Sequence, residues 1–204
     1  MATPDTLLWL ADSAALPPTW FQAGLDWLSE DERARYERFV RTERRRQFVA
    51  GRVLLRHAIG SLLGLAPRSV ALAERPGQGP ALRHPVAPGL GFSISHSGPW
   101  VACAASLAGP LGLDIERPDT ARDHVALAEQ VFESGAAGQL AALAGAERTD
   151  AFYRMWCRYE AHIKLGRDGA IDHYHALPGL MLVLSSTRAL DVEPAMLDMA
   201  GLLG

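Results

Sequence analysis

The sequence predicts an α+β fold, and two observations lead to this class. Two segments, residues 42–63 and 151–165, carry apolar side chains at helical spacing. Three short apolar runs, LGFSIS, VACAAS and LGLDIE, follow one another between the turns HSGP and LAGP. Such closely spaced runs favour an antiparallel meander. With 204 residues, the chain is long enough for one large domain or for two small lobes around a shared core.

Composition narrows the class of protein. Hydrophobic residues make up 49% of the chain and charged residues 21%, and the net charge is −3, which is ordinary for a globular enzyme and gives no sign of a nucleic-acid or membrane partner. Cys103 and Cys157 lie in apolar stretches without metal-ligand spacing, which predicts reduced core thiols. The N-terminus lacks a basic region before its short apolar run. We therefore expect a cytoplasmic protein.

The N-terminal half begins with a strand and continues with two helices. TLLWLA reads as the strand, and Ser29 with Glu32 fits a capping box that begins the first helix. The second helix, at residues 42–63, has a buried stripe that consists of Phe48, Leu55, Ile59 and Leu62. Arg45, Arg52 and Arg56 project onto a neighbouring stripe, and the sequence alone favours a solvated helix face for these three arginines.

After the three short apolar runs the pattern returns to helix. HVALAEQVF is one helical segment, and Ser134 is suited to cap another that ends near Leu143. Asp150 is suited to cap the helix AFYRMWCRYEAHIKL, which Gly166 ends. Phe152, Trp156, Tyr159 and Ile163 form its predicted apolar stripe. A last strand, GLMLVLSS, precedes the C-terminal tail.

Two acidic residues stand close together near the end of the third apolar run. If GLDIE is a strand, Leu113 and Ile115 face a core while Asp114 and Glu116 share the opposite face. Like charges at that distance raise each other's pKa unless a positive charge lies between them. A solvated strand edge and a divalent cation held by both carboxylates each account for the pair.

Two other short segments carry polar residues of interest. Glu160 and Lys164 have the i, i+4 spacing of a common salt bridge on a helix surface. His96 stands in the serine-rich segment SISHS, where a histidine is more often a turn-stabilising residue than a catalytic one. Each of these signals is weak by itself, as is the D-x-E pair.

Taken in order, these segments resemble the Sfp-type 4'-phosphopantetheinyl transferases. That family has the pattern F-x-I-S-H-S-x-x-W-V, which reads FSISHSGPWV here. The family then has G-I-D-I-E and W-x-x-K-E-A-x-x-K, which read GLDIE and WCRYEAHIK here. The basic segment RRRQFVAGRVLLR upstream is also typical of the family's first lobe. The resemblance extends from about Leu28 to Lys164, and the joint pattern is far more specific than any of its parts.

The resemblance implies an enzyme that moves the phosphopantetheine arm of coenzyme A onto a serine of a carrier protein and releases adenosine 3',5'-bisphosphate. By analogy, Asp114, Glu116 and Glu160 are ligands of Mg²⁺, for which Mn²⁺ is a substitute, and oxygen ligands of this kind suit a hard cation. Glu160, directly or through a water, is then the base for the serine hydroxyl. Lys164 holds a phosphate oxygen or the leaving group.

The resemblance also implies contacts with coenzyme A. Ser95 and His96 would contact its phosphates together with Lys164, and Arg45 and Arg52 of the basic helix would help at the 3'-phosphate. The carrier protein belongs to fatty acid, polyketide or non-ribosomal peptide synthesis. We expect a monomer.

The family fold is a pseudo-dimer of two similar lobes, each with a small antiparallel sheet and a long helix, that enclose coenzyme A between them. By analogy, residues 1–110 form the N-terminal lobe with the basic helix. Residues 111–204 form the C-terminal lobe with the metal site and a shortened C-terminus.

Three departures from the family pattern keep an alternative open. Tyr159 stands where the family has lysine, the family's G-K-P turn reads QGP at residues 78–80, and only about forty residues follow Lys164. A catalytically weak relative, acting as a carrier-protein or coenzyme A binding module, is the alternative. A nuclease of the D…E-x-K type is disfavoured, because no lysine stands two residues after Glu116 or Glu160.

Overall fold

The computed structural model describes residues 4–133 and 135–203, so that Ser134, the expected helix cap, lies outside the described residues. The chain has an α+β fold, as predicted, and the described residues form three sheets. Its strands are β1 (Thr6–Asp12), β2 (Ala71–Ala73), β3 (Ala81–His84), β4 (Gly91–Ser97), β5 (Trp100–Ser106), β6 (Leu111–Glu116), β7 (Ile171–Leu177), β8 (Leu180–Ser186) and β9 (Ala195–Met196). Its α-helices are α1 (Pro18–Gly24), α2 (Glu30–Glu37), α3 (Thr42–Leu63), α4 (His124–Val131), α5 (Ala136–Ala141) and α6 (Gly145–Leu165).

The first sheet has the strand order β4-β5-β1-β9, and α3 packs against it. Helix α3 begins and ends where the sequence predicts. It ends there because Gly64 adopts the left-handed conformation that terminates a helix, with φ of 66°. The predicted apolar stripe of α3 is buried in the core of this sheet. The capping box of Ser29 and Glu32 at the start of α2 is also confirmed.

Two of the three arginines of α3 do not lie on the solvated face that the sequence favours, whereas Arg45 is half-buried. Arg52 is 5% exposed and Arg56 is 3% exposed. Both guanidinium groups pair with Glu32, which is itself fully buried, and Arg52 also pairs with Glu74. Burying charges in this way requires opposite charges at hydrogen-bond distance. The prediction was wrong here because the partner acids come from α2 and from the end of β2, which helical spacing in α3 does not reveal.

The second sheet has the order β6-β8-β7, and α6 packs against β6 and β8. The expected three-stranded meander is therefore only half correct. Strands β4 and β5 pair antiparallel, but β6 leaves that sheet and pairs antiparallel with β8, with Asp114 opposite Val183. Leu113 and Ile115 point into one apolar core, as predicted, while Met181 and Val183 on the other face of β8 belong to the core under α6.

Helix α6 approaches β6 closely because the strand has a glycine at the contact. A Cβ atom on Gly112 would lie 2.0 Å from the carbonyl oxygen of Ala161, far inside any real contact. The buried stripe of α6 consists of Thr149, Phe152, Tyr153, Cys157, Ala161 and Leu165. Tyr159 and Ile163 are 40% and 58% exposed, so the predicted stripe was wrong beyond Trp156: the small Cys157 and Ala161 face the sheet instead. Asp150 is inside α6, not at its start.

The C-terminal tail returns to the first sheet. Strand β9 adds parallel to β1, and Met199 is buried in the core beside α3. The indole Nε1 of Trp20 donates to the carbonyl of Met199 at 2.8 Å, and a ring nitrogen of His57 lies 2.7 Å from the carbonyl of Leu202. The division of the chain at residue 110 stays a prediction. Among the helices of the described residues, none has both the length and the apolar character that crossing a membrane requires.

Candidate active site

The three sequence segments of interest meet at one point between the two sheets. Lys164 of α6 places its Nζ 2.7 Å from Oδ1 of Asp114 on β6 and 3.1 Å from the hydroxyl of Ser95 on β4. The hydroxyl of Ser95 donates to the same Oδ1 at 2.8 Å. Lys164 Nζ also donates to the carbonyl of Leu113 at 3.0 Å. Residues 19 to 69 positions apart in the sequence thus form one hydrogen-bonded cluster.

The i, i+4 salt bridge between Glu160 and Lys164 is not formed. The ammonium group of Lys164 turns to the strand, where it pairs with Asp114. In the part of the chain that the structure describes, Glu160 makes no ion pair, and its side chain is half-buried. Glu160 lies one helical turn before Lys164, so both project from the same side of α6. The carboxylate of Glu160 therefore has no cationic partner on its own helix.

The acid pair of β6 is not a solvated strand edge. Asp114 is 4% exposed. While its Oδ1 is hydrogen-bonded, its Oδ2 is buried without a hydrogen-bond partner. Glu116 is half-buried, and its Oε2 accepts from the hydroxyl of Ser97 at 2.7 Å. Burial raises the pKa of Glu116, the charge of Asp114 raises it further, and the Ser97 hydrogen bond opposes both.

A thiol lies beneath the acid pair. Cys157 of α6 is fully buried, and burial raises its pKa far above the usual range, with the charges of Asp114 and Glu116 acting in the same direction. The thiol therefore stays protonated and is no nucleophile. Cys103 is likewise buried and its pKa is raised by burial. Both cysteines are free, as predicted.

The acid pair fits a hard divalent cation, and the fit rests on chemistry and on one orphaned atom. Carboxylate oxygens are the ligands that Mg²⁺ prefers. A buried carboxylate oxygen without a partner is costly, and Oδ2 of Asp114 is such an atom, on the strand face that Glu116 shares. Residues 4–133 and 135–203 nevertheless contain no ready-made group of three His, Cys, Asp or Glu side chains for a metal. Glu160 as a third ligand stays a prediction.

The structure separates the two residues predicted to contact coenzyme A phosphates. Strand β4 alternates, so that Ser95 faces β6 while its neighbour His96 faces the side of α3. Burial, together with the charges of Arg44 and Lys164, lowers the pKa of His96 to about 3. The imidazole is therefore neutral at pH 7 and offers one N–H donor to a ligand. Arg44, which the sequence did not single out, and Lys164 are the cations that act on it.

The two arginines assigned to the 3'-phosphate lie in different surroundings. Arg52 pairs with Glu32 and Glu74, and a contact between Arg52 and the 3'-phosphate stays a prediction. Arg45 donates to the carbonyl of Phe39 at 2.7 Å and stacks over Tyr36. Arg45 also lines a cavity of about 350 Å³ on the side of α1. The contact of Arg45 with coenzyme A likewise stays a prediction.

A cavity of about 410 Å³ opens beside the acid pair. Glu116 forms one wall, and Arg117, Arg122 and Tyr153 contribute to others. The hydroxyl of Tyr153 accepts from the backbone N–H of Asp119 at 3.1 Å, which ties the loop after β6 to α6. None of these lining residues other than Glu116 was predicted as a site residue from the sequence. Arg117 directly follows Glu116 in the sequence, and Tyr153 stands four residues before Cys157 on α6. Strand alternation places Arg117 in register with Leu113 and Ile115, so spacing alone does not bring either residue to the acid pair.

Comparison with known proteins identifies two adjacent family matches. Residues 16–108 match the family described as 4'-phosphopantetheinyl transferase, N-terminal, and residues 110–180 match the 4'-phosphopantetheinyl transferase superfamily. The 4'-phosphopantetheinyl transferase HetI of Nostoc sp. is 33% identical over 174 residues, which cover 81% of this chain and 73% of HetI.

Two relatives from Bacillus subtilis are similar in the same region. A 4'-phosphopantetheinyl transferase is 31% identical over 144 residues, which cover 70% of this chain and 61% of the relative. The 4'-phosphopantetheinyl transferase Sfp is 31% identical over 140 residues, which cover 69% of this chain and 60% of Sfp. The matched region thus spans less than two thirds of the length of these two relatives.

The matches and the cluster of Ser95, Asp114 and Lys164 agree with the resemblance found in the sequence. The segments FSISHS, GLDIE and WCRYEAHIK fall within the two matched regions. The chain belongs to the 4'-phosphopantetheinyl transferase superfamily, and its predicted enzyme class is confirmed.

Proposed function

We propose that this protein transfers the 4'-phosphopantetheine arm of coenzyme A to a serine of an acyl, aryl or peptidyl carrier protein, in a Mg²⁺-dependent reaction. The observation that carries the proposal is the hydrogen-bonded cluster of Lys164, Asp114 and Ser95. It brings together one residue from each family segment, and Asp114 is also one of the two acids of β6. Among the described residues, Oδ2 of Asp114 is buried without a hydrogen-bond partner. Glu116, the other acid, lines a cavity that Arg117 and Arg122 also line.

In the proposed reaction, the carrier serine oxygen attacks the β-phosphorus of the coenzyme A pyrophosphate. A new P–O bond forms to the serine, and the bond to the bridging oxygen breaks, which releases adenosine 3',5'-bisphosphate. The serine proton passes to Glu160, directly or through a water, since this carboxylate has no cationic partner on its helix to hold it. Lys164 uses its three N–H groups on Ser95, Leu113 and Asp114. It would exchange one of these partners to donate to a phosphate oxygen or to the leaving group, which then carries additional negative charge.

Asp114 and Glu116 would hold the cation, and Glu160 would complete the protein ligands. Bound Mg²⁺ supplies positive charge that offsets the negative charge developing on the pyrophosphate. Mn²⁺ is expected to substitute, because it also accepts oxygen ligands. The present partners of Asp114 engage Oδ1 and leave Oδ2 for the cation.

Coenzyme A is proposed to lie between the two sheets, in a pseudo-dimer whose lobes meet near residue 110. The likeness of two units supports the pseudo-dimer. Each unit combines three antiparallel strands with one long helix: the first has β4-β5-β1 and α3, and the second has β6-β8-β7 and α6. Arg117 and Arg122 in the cavity, and Arg44 near His96, are cations within reach of anionic groups there. Neutral His96 would contribute a hydrogen bond and no charge.

The test is a transfer assay with a matched control. The protein is incubated with coenzyme A, Mg²⁺ and an apo carrier protein, and the mass of the carrier is measured. We expect a gain of one phosphopantetheine arm, lost in Asp114→Asn and kept in Asp168→Asn, which changes an exposed acid. Coenzyme A binding without any mass gain would refute the transferase proposal and identify the protein as a binding module.

A further inference from the structure

Strands β4 and β6 lie side by side in parallel but belong to different sheets, and serine side chains join them. The backbone N–H groups of Leu113, Ile115 and Arg117 point away from β8, toward β4. Each donates to a serine hydroxyl of β4: Leu113 to Ser93 at 3.0 Å, Ile115 to Ser95 at 3.3 Å, and Arg117 to Ser97 at 3.0 Å. We call Ser93, Ser95 and Ser97 the serine row.

Two members of the serine row also donate a hydrogen bond to a carboxylate. A serine hydroxyl has one hydrogen to donate and two lone pairs that accept. Because the strand N–H occupies an acceptor position, the single hydrogen is directed elsewhere. In Ser95 it is donated to Asp114 at 2.8 Å, and in Ser97 to Glu116 at 2.7 Å. Ser95 also accepts from Lys164 at 3.1 Å, so all three of its hydrogen-bonding positions are used.

Ser93, the first member of the row, binds no carboxylate among the described residues. Ser93 accepts from Leu113 in the same way, but the residue of β6 in the register position of Asp114 and Glu116 is Gly112, which has no side chain. Among the described residues, the structure records no carboxylate partner for Ser93. The chain therefore contains its own control: one serine that only joins the strands, and two that join the strands and bind a carboxylate.

We infer that Ser95 and Ser97 are positioning residues for the acid pair. Each holds one oxygen of a carboxylate, and so fixes the direction of the other: for Asp114 the oxygen left over is the buried, unbonded Oδ2. The ligand class is a divalent cation with oxygen preference. The inference deepens the proposed function, on which the identity of the ligand rests. Ser95 thereby acts through Asp114, in addition to any contact with coenzyme A.

The hydrogen bonds between β4 and β6 thus also determine how the carboxylates of Asp114 and Glu116 are oriented. The N–H groups of β6 fix the position of the serine oxygens, and the serine oxygens fix the carboxylates, so a cation would find its ligands already oriented. Partners that orient metal ligands typically contribute about 10- to 100-fold in affinity. We therefore expect the loss of one positioning hydroxyl to weaken cation binding about tenfold.

The experiment measures Mn²⁺ binding to the whole protein, without coenzyme A or carrier, by calorimetry and by the rise in melting temperature that Mn²⁺ produces. The variants are Ser93→Ala, Ser95→Ala and Ser97→Ala, with Ser97→Thr to restore the hydroxyl. All three alanine variants are expected to melt at lower temperature without metal, because each loses a strand contact. Only Ser95→Ala and Ser97→Ala should lose about tenfold in Mn²⁺ affinity, and Ser97→Thr should recover it.

Three results would overturn the inference. The first is an equal loss of Mn²⁺ affinity in Ser93→Ala and Ser97→Ala, which would mean that the row acts only by joining the strands. The second is unchanged affinity in folded Ser95→Ala and Ser97→Ala. The third is the absence of saturable Mn²⁺ binding by the unaltered protein. The carrier assay is separate: a protein that shows the expected Mn²⁺ pattern but transfers nothing would refute the proposed function and leave the positioning role standing.

Discussion

Replacing Gly112 by alanine tests whether the contact between α6 and β6 controls the site. The new Cβ would lie 2.0 Å from the carbonyl oxygen of Ala161 and 2.6 Å from the backbone nitrogen of Leu165, whereas real Cβ contacts essentially never fall under 3.0 Å. The obstructing atoms are backbone, so no side chain can turn aside. Relief requires α6 to move away from the strand by about 1 Å or more.

That displacement is enough to break the cluster. Lys164 Nζ is 2.7 Å from Asp114 Oδ1, and about 1 Å more exceeds the length of a hydrogen bond. Overpacking of this kind costs about 1–3 kcal/mol in the free energy of unfolding. For a chain of this size, each kcal/mol lowers the melting temperature by about 2–4 °C. We expect a lower melting temperature together with a loss of carrier modification.

The assay pairs a thermal melt with the carrier-mass measurement, and the chain offers a matched control. Gly138 lies on the exposed surface of α5 with nothing within 4 Å of an added Cβ. Gly138→Ala is expected to be neutral or to stabilise by about 0.5–1 kcal/mol, with unchanged transfer. If Gly112→Ala melts and transfers like the unaltered protein, the close approach of α6 does not control the site and the reasoning is refuted.

Three further predictions concern single residues of the site. Glu160→Gln should lower turnover strongly with a nearly unchanged melting temperature, because Glu160 makes no ion pair with any residue that the structure describes. A fall in stability without a fall in rate would contradict its role as base. Tyr159→Lys should bind coenzyme A about tenfold more tightly, a gain of about 1.4 kcal/mol in binding free energy. Tyr159 is 40% exposed with its ring edge-on to Phe132, so a lysine there would not be buried. Unchanged calorimetric affinity in a folded variant would refute the phosphate contact. His96 has a pKa of about 3 in the folded protein, against an ordinary value of 6.5. Between these pH values the unfolded chain binds more protons than the folded protein. The contribution of His96 to the free energy of unfolding should therefore be complete above about pH 6.5 and fall as the pH drops toward 3. Denaturant titrations at several pH values should show a shallower fall in His96→Asn, and identical slopes in the two proteins would contradict the prediction.

Local sequence was sufficient for the elements whose boundaries depend on nearby residues. The bounds of α3 were predictable because its stripe is long and Gly64 ends it with a left-handed conformation. The capping box of Ser29 and Glu32 was predictable because both partners lie within one helical turn. The joint order of the motifs was specific enough to identify the family.

The parts that the sequence left open depend on which distant segment comes into contact. The expected meander was wrong at β6 because strand propensity does not specify a pairing partner, and β8 begins more than sixty residues later. The helical spacing of Glu160 and Lys164 predicted a pair, but Gly112 lets α6 approach the strand, where Asp114 is a buried partner. Likewise, nothing in α3 indicates that Glu74 will cover Arg52.

The pairing of β9 with β1 has a consequence for the order of events during synthesis. Trp20 hydrogen-bonds the backbone of Met199, 179 positions later in the chain. A ribosome adding about 5–20 residues per second needs about 9–36 seconds to make that stretch. Throughout this interval the edge of β1 and the core beside α3 lack the segment that will cover them. The nascent N-terminal half is therefore expected to expose a strand edge to chaperones, and it completes its structure only after the second sheet has been translated.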